Sequence, residues 1–307
     1  MTSHGRKPPS QFPSSSVDFP AIQDGREEPT GQASPASIPN HPPPVRAPRI
    51  LISLATFNEA GNLRPLVEAI HQFLPEADVL VIDDNSPDGT GRIADELAAA
   101  SPRVRVLHRP AKLGLGTAIL AAMRDAIEHD YDYYINMDAD FSHPPRFLPD
   151  LIAGMDRYDV MIGSRYVPGG GVEGEFGLKR RFMSTGINMY ARLFLGLRTR
   201  DNSGSYRCYR VSKLKRMNLD RVKSRGYSFM EEILFWCRHA GCRFGETPIL
   251  FENRRSGVSK IHAGEAVKAL WIIAELGIRR VLGLIPPPAS QEGPEDSTTN
   301  TNGPVAG

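Results

Sequence analysis

Asp138 and Asp140 stand one small residue apart at the end of the apolar run Tyr133 to Met137. Two carboxylates that close repel each other unless positive charge lies between them, and an all-oxygen ligand set favours a hard cation, Mg²⁺ or Mn²⁺. If the run is a buried strand of an α/β sheet, both acids lie at its C-terminal edge, where such sheets bind ligands. A divalent ion clamping a diphosphate is the chemistry this arrangement suits. Asp-x-Asp alone is a common triplet that also describes two solvated acids, so its surroundings must decide.

Asp83 and Asp84 end a second apolar run, before Asn85-Ser86-Pro87-Asp88-Gly89-Thr90. Ser-Pro and Asp-Gly are turn dipeptides, and Asp88 or Thr90 can cap a helix, but a strand-end carboxylate can also accept hydrogen bonds from a base or a ribose. A third polar turn, Ala55-Thr56-Phe57-Asn58-Glu59, comes after the first apolar run. Phe57 and Glu59 are placed to meet a nucleoside, whereas Asn58 serves equally well as a helix cap. Lys112 to Thr117 brings a lysine and two glycines to a helix start, a setting that suits an anion.

The elements that must position these residues alternate. Short apolar runs predict strands over Ile50 to Leu54, Val79 to Ile82, Val104 to Leu107, Tyr133 to Met137 and Val160 to Ile162. Helical spacing of apolar residues predicts helices over Asn62 to Phe73, Thr90 to Ala100 and Leu115 to Glu128. The β-α-β order implies an α/β fold with a mostly parallel sheet flanked by helices. No Gly-x-Gly-x-x-Gly or Walker lysine loop opens the first helix, which argues against an NAD enzyme and a P-loop NTPase.

Composition sets the outer limits. The 307 residues, 40% apolar and 23% charged, suit a soluble globular protein, and a net charge of +2 makes no case for nucleic acid. Cys208, Cys237 and Cys242 lack metal-site spacing and are odd in number, so neither zinc nor a disulfide framework is expected, and a cytoplasmic setting fits. Residues 1–48 and 286–307 are Pro-, Ser- and Gly-rich or polar without apolar runs and read as disordered tails. A single catalytic domain is expected over 49–285.

Taken together, the Thr-x-Asn-Glu turn, Asp-Asp-x-Ser-Pro-Asp-Gly-Thr, Lys-Leu-Gly-Leu-Gly-Thr-Ala, Asp138-Ala139-Asp140 with Ser142-His143-Pro144, Gly163-Ser164-Arg165-Tyr166, Asp201 with Ser203-Gly204, and Gly257-x-Ser259-Lys260 resemble the family 2 glycosyltransferases of the Rossmann-like GT-A fold. Among these the likeness is to polyprenyl-phosphate (dolichyl-type) mannosyltransferases. The resemblance implies that Ala55, Phe57, Glu59, Ile82 and Asp84 hold the guanine and ribose of GDP-mannose. Asp138 and Asp140, with Ala139 between them, would carry the metal, and Arg254 and Lys260 would close over the diphosphate. This chain departs from the family's usual Pro and Tyr at Ala55 and Phe57, and has Ser142 where some relatives place a Gln.

For the acceptor's phosphate the candidates are Arg165 and Arg181, because a guanidinium fork holds phosphate oxygens bidentately. Asp201 matches a family carboxylate near the acceptor, given an orienting role or, for a hydroxyl acceptor, that of base. Asp140, Asp201 and Arg165 are the catalytic candidates; Glu232 is either a supporting residue or an exposed helix residue. His262 to Leu284 reads as an amphipathic helix interrupted by charges, buried against the domain or lying in a membrane interface. Expected partners are a nucleotide-sugar donor, a polyprenyl-phosphate acceptor, and the cytoplasmic face of a membrane or a membrane-embedded subunit. Competing readings are a UDP-glucose or related donor, a haloacid-dehalogenase-like phosphatase, whose first Asp is a nucleophile, and a non-catalytic nucleotide-sugar-binding protein.

Overall fold

A computed structural model describes residues 46–173, 178–252 and 263–286. The rest of both expected tails, and the segment holding Arg254 and Lys260, lie outside the described residues. The strands and helices all belong to one compact unit that begins at Ala47. The strands are β1 (Ile50–Thr56), β2 (Asp78–Asp83), β3 (Val104–His108), β4 (Tyr133–Asp138), β5 (Val160–Ser164), β6 (Gly171–Val172), β7 (Arg207–Arg210), β8 (Phe244–Pro248) and β9 (Leu250–Phe251). The α-helices are α1 (Leu63–Phe73), α2 (Thr90–Ala100), α3 (Leu115–Glu128), α4 (Leu148–Ala153), α5 (Leu178–Leu195), α6 (Val211–Leu214), α7 (Phe229–His239) and α8 (Ala263–Val281).

The main sheet runs β3-β2-β1-β4-β7-β5-β8, and a separate two-stranded sheet pairs β6 with β9. Strands β3, β2, β1 and β4 are parallel, as are β5 and β8. Strand β7 is wedged antiparallel between β4 and β5, with Asn136 and Ile162 both opposite Arg207. The mostly parallel sheet is as expected; β7 is not. Its sequence, Arg207-Cys208-Tyr209-Arg210, has charged ends instead of an apolar run, yet Arg207 is fully buried, donating to the carbonyls of Met230 and Asn202.

Alternation along the strands divides the core. Ile52, Leu54, Val79, Val81, Ile135 and Met137 face one layer with α1, α2 and α4, whereas Leu51, Leu80, Ile82 and Tyr134 face the other with α3, α5 and α7. Helix α1 shows why helical spacing was legible: Leu63, Leu66, Val67 and Ile70 are its buried residues, one stripe at i, i+3, i+4 and i+7. Both apolar faces of α8 are used differently. Ala269, Ile273 and Leu276 are buried against the domain, while Val267, Trp271, Ile278 and Val281 are exposed. No helix among the described residues is long and apolar enough to cross a membrane.

Candidate active site

The order β3-β2-β1-β4 makes β1 the switch point from which successive crossovers go to opposite sides, so a crevice opens beyond the C-terminal ends of β1, β2 and β4. A cavity of about 380 Å³ lies there. Ala55 lines it within β1 and Phe57 and Glu59 just after it, Asp84 after β2, Lys112 and Gly114 before α3, and Asp138, Ala139 and Asp140 at the end of β4. Most of the nucleotide and metal residues expected from sequence thus converge on one space. Ile82 is not among its lining residues; it sits in the core beneath.

Each loop is built by its neighbours. Asn58 lies at φ +61, a left-handed turn, and does not cap α1. The turn is tied to the β2–α2 loop by Asn58 N–H donating to Ser86 Oγ (3.1 Å), Glu59 N–H to Thr90 Oγ1 (2.9 Å) and Ala60 N–H to Asp88 Oδ2 (3.1 Å). The two adjacent aspartates divide their work. Asp83 braces the loop, accepting from Thr56 Oγ1 (3.1 Å), Ser86 Oγ (2.6 Å) and Ser86 N–H (3.1 Å). Asp84 faces the cavity and is paired with buried Arg109, whose Nε lies 2.5 Å from Asp84 Oδ1 and whose Nη1 donates to Thr117 Oγ1 (2.7 Å). Burial raises the Asp84 carboxyl above its ordinary range, only partly offset by Arg109. Lys112 places its ammonium 4.6 Å from the centre of the Phe57 ring.

At the end of β4, Ser205 Oγ donates to Asp138 Oδ1 (2.8 Å), and Ser142 donates to Asp140 Oδ1 through both Oγ (2.6 Å) and N–H (3.0 Å). Phe141, between them, takes φ +66 and is buried, a left-handed backbone that costs a bulky residue about 1–2 kcal/mol. His143 Nδ1 accepts the Asp138 backbone N–H at 3.0 Å while its ring stacks on Tyr206, which commits that nitrogen to the backbone. Burial lowers the His143 pKa. Among the described residues no cluster of three or more His, Cys, Asp or Glu side chains is set to hold a metal. Two carboxylates beside an open cavity nonetheless fit a cation of the Mg²⁺ or Mn²⁺ kind, which completes its shell with water and substrate phosphate oxygens.

Arg165 and Asp201 are not among the residues lining that cavity; they form a buried pair, Nε to Oδ2 at 2.8 Å and Nη2 to Oδ1 at 2.7 Å, with Arg165 N–H also donating to Oδ2 (3.0 Å). Burial works against charge on both, but each partner more than offsets it, so the Asp201 carboxyl is lowered and the Arg165 guanidinium raised. Arg165 thus spends Nε and Nη2 on Asp201, Nη2 also reaching Ser203 Oγ (3.1 Å), instead of offering a full fork outward, and of its side-chain nitrogens only Nη1 has no hydrogen-bond partner among the described residues. Arg181 falls on α5, its side chain outside the described residues, as are Arg254 and Lys260 altogether. Arg109 and Ser205 were missed from sequence; only their places, just after β3 and just before β7, mark them. Glu232 is almost fully buried, which excludes an exposed helix position.

The family model described as "Glycosyl transferase family 2" matches residues 52–217. The chain is 41% identical over 233 residues to a polyprenol monophosphomannose synthase from Mycolicibacterium smegmatis, covering 75% of this chain and 88% of that protein. It is 40% identical over 243 residues to an undecaprenyl-phosphate mannosyltransferase from Micrococcus luteus, covering 77% of this chain and all of the other. Among solved structures, glucosyl-3-phosphoglycerate synthase from Mycobacterium tuberculosis, in complex with Mn²⁺, UDP and glucosyl-3-phosphoglycerate, aligns at a TM-score of 0.52 with 16% identity over 79% of this chain and 82% of that one. A mannosyltransferase from Pyrobaculum calidifontis in complex with GDP-Man and Mn²⁺ aligns at 0.50 with 16% identity over 80% and 67%. These two likenesses establish the shared fold. The phosphatase reading has no support in any of them, and with a family match that spans more than half its length the chain belongs to the family 2 glycosyltransferases.

Proposed function

We propose that the chain transfers mannose from GDP-mannose to a polyprenyl phosphate with inversion at the anomeric carbon, assisted by Mg²⁺ or Mn²⁺. The observation that carries this reading is the convergence of Asp84, Asp138 and Asp140 on one cavity, in a chain whose relatives at 40–41% identity are named for mannosyl transfer to such lipids. An acceptor phosphate oxygen attacks C1 of the sugar, the bond from C1 to the diphosphate breaks, and GDP departs with the electron pair. A phosphomonoester is largely dianionic at neutral pH, its second pKa being about 6, so no strong base is required. Asp84 and Glu59 would hold the nucleoside, and Lys112 the diphosphate. Arg165, steadied by Asp201, would meet the acceptor phosphate through Nη1. The ion held by Asp138 and Asp140 would neutralise charge on the leaving diphosphate.

The acceptor's isoprenoid chain places the reaction at a bilayer surface. Val267, Trp271, Ile278 and Val281 make an exposed apolar stripe on α8, flanked by exposed Arg279 and Lys268. A bilayer interface takes such a stripe, with the cations meeting anionic headgroups. The test is transfer of radiolabelled sugar from GDP-mannose, UDP-glucose or UDP-GlcNAc to a short polyprenyl phosphate with Mn²⁺ or Mg²⁺. Metal-dependent product from GDP-mannose alone, with the rate reduced by at least about 100-fold in Asp140→Ala, is expected. Product from a UDP-sugar instead overturns the donor, and undiminished product in the variant overturns the metal site.

A further inference from the structure

Glu232 is a carboxylate buried to 1% exposure in the first turn of α7. An acid near a helix start commonly serves the N–H groups of its own helix. This one turns away: Oε2 accepts from Ser224 N–H (2.8 Å) and Oε1 from Lys223 N–H (3.0 Å), with Trp236 Nε1–H also donating to Oε1 (3.3 Å). An apolar side chain would fill the space at lower desolvation cost but leave the Lys223 and Ser224 N–H groups without it. The segment so held is gripped on its other side by the start of α3. Gly116 N–H donates to Arg225 O (2.8 Å), and a Cβ on Gly116 would lie 2.7 Å from Ser224 O and 2.9 Å from Phe229 Cβ. Gly114, at φ +102, likewise has no room for a Cβ against Arg225 O. The next residues, Gly226 and Tyr227, are the part of this segment that walls the cavity.

We infer that Glu232 is a positioning residue for the donor, holding the Lys223–Tyr227 segment so that Gly226 and Tyr227 close one wall of the nucleotide-sugar cavity. The inference rests on reading that cavity as the donor site. Glu232 acts through the segment's position and touches no substrate itself.

Two substitutions disturb the segment from opposite sides. In Glu232→Gln the side chain keeps its volume, but an amide NH₂ confronts one of the two backbone N–H donors. Gly116→Ala leaves Glu232 intact and drives a methyl against Ser224 O. In the full-length protein each is expected to raise the donor KM about tenfold, with kcat and the acceptor KM within about twofold of wild type. The double variant should fall short of the product of the single effects, because both move the same segment. Unchanged donor KM in both variants, or a joint fall of kcat and both KM specificities that tracks a lowered Tm, overturns the inference and leaves a merely structural carboxylate. Titration of fluorescent mant-GDP and mant-UDP reads the cavity without turnover. A wild type that binds nucleotide but transfers no mannose sinks the proposed reaction alone. Equal nucleotide affinity in wild type and both variants sinks the role of Glu232 alone, and a wild type that binds neither nucleotide sinks both.

Discussion

Replacing Arg109 with Met tests whether the acidic end of β2 is held in place by a single buried cation. Arg109 and Asp84 are both less than a tenth exposed, and Arg109 also reaches Thr117 Oγ1 and the Gly114 carbonyl (3.4 Å) at the start of α3. Met keeps most of the volume and removes every donor. Breaking a buried pair from one side costs about 3–5 kcal/mol, because the surviving charge is left without its counter-ion. That is a large part of the roughly 5–15 kcal/mol that stabilises a typical domain. The pH dependence has a definite sign. Burial already raises the Asp84 pKa in the folded protein, with Arg109 the main opposing influence, and removing Arg109 raises it further. A carboxyl whose folded pKa exceeds its unfolded value costs stability as pH rises between the two, so the variant's deficit is smallest in acid and grows toward neutrality. Urea unfolding tracked by circular dichroism at pH 5 and pH 8 is the assay. Arg109→Met should lose more stability at pH 8 than at pH 5, and the double variant Arg109→Met, Asp84→Asn should recover most of that difference. A loss below about 1 kcal/mol, or one equal at both pH values, would refute the reasoning.

Other perturbations address separate parts of the molecule. Glu231 is buried, its Oε2 finds no hydrogen-bond partner among the described residues, and burial pushes its carboxyl up from 4.5 to about 7. Its cost to stability therefore grows from about pH 4.5 to pH 7, reaching at most about 3 kcal/mol, and Glu231→Gln should flatten that portion of the stability–pH curve; identical curves would contradict it. Trp271→Glu with Val267→Glu should abolish co-sedimentation with anionic vesicles without lowering Tm, since those side chains are 72% and 66% exposed; retained vesicle binding would remove the stripe as the contact. Asp201→Asn keeps the size of its side chain but weakens the grip on Arg165, so the acceptor KM should rise more than the donor KM; the reverse split would place the pair on the donor side.

The first five strands and first three helices were legible because their apolar residues repeat with the period of their element, and the observed ends fall within two residues of those expected. The acidic strand ends were legible for a related reason: a parallel sheet brings its C-terminal edges together whatever the rest of the chain does. Long-range partners were concealed. Arg207 reads as a surface residue until the carbonyls of Met230 and Asn202 are seen to solvate it. Arg109 is one arginine among many until Asp84 meets it. Adjacent Asp83 and Asp84 could be separated into a brace and a cavity wall only once the strand set their opposite directions, and Glu232 acquired partners only when α7 folded back on its preceding segment.

The antiparallel wedge of β7 also bears on the order in which the protein assembles. The strands from Ile50 to Asp138 form a continuous, neighbour-by-neighbour block, so the half of the sheet that carries Asp84 and Asp138 can condense from crossovers of modest length. Strand β7 must instead find two partners already apart in sequence, β4 and β5, and insert between them. Until it does, both strands present open edges to any other chain, and Asp201 and Ser205 are remote from Arg165 and Asp138. Pulsed hydrogen exchange during refolding should protect the amides of β1 and β2 before those of β7. A nascent chain released before Arg210 would carry much of the cavity-lining surface on a sheet with an unfilled slot, and aggregation of such a truncation is the cost this topology imposes.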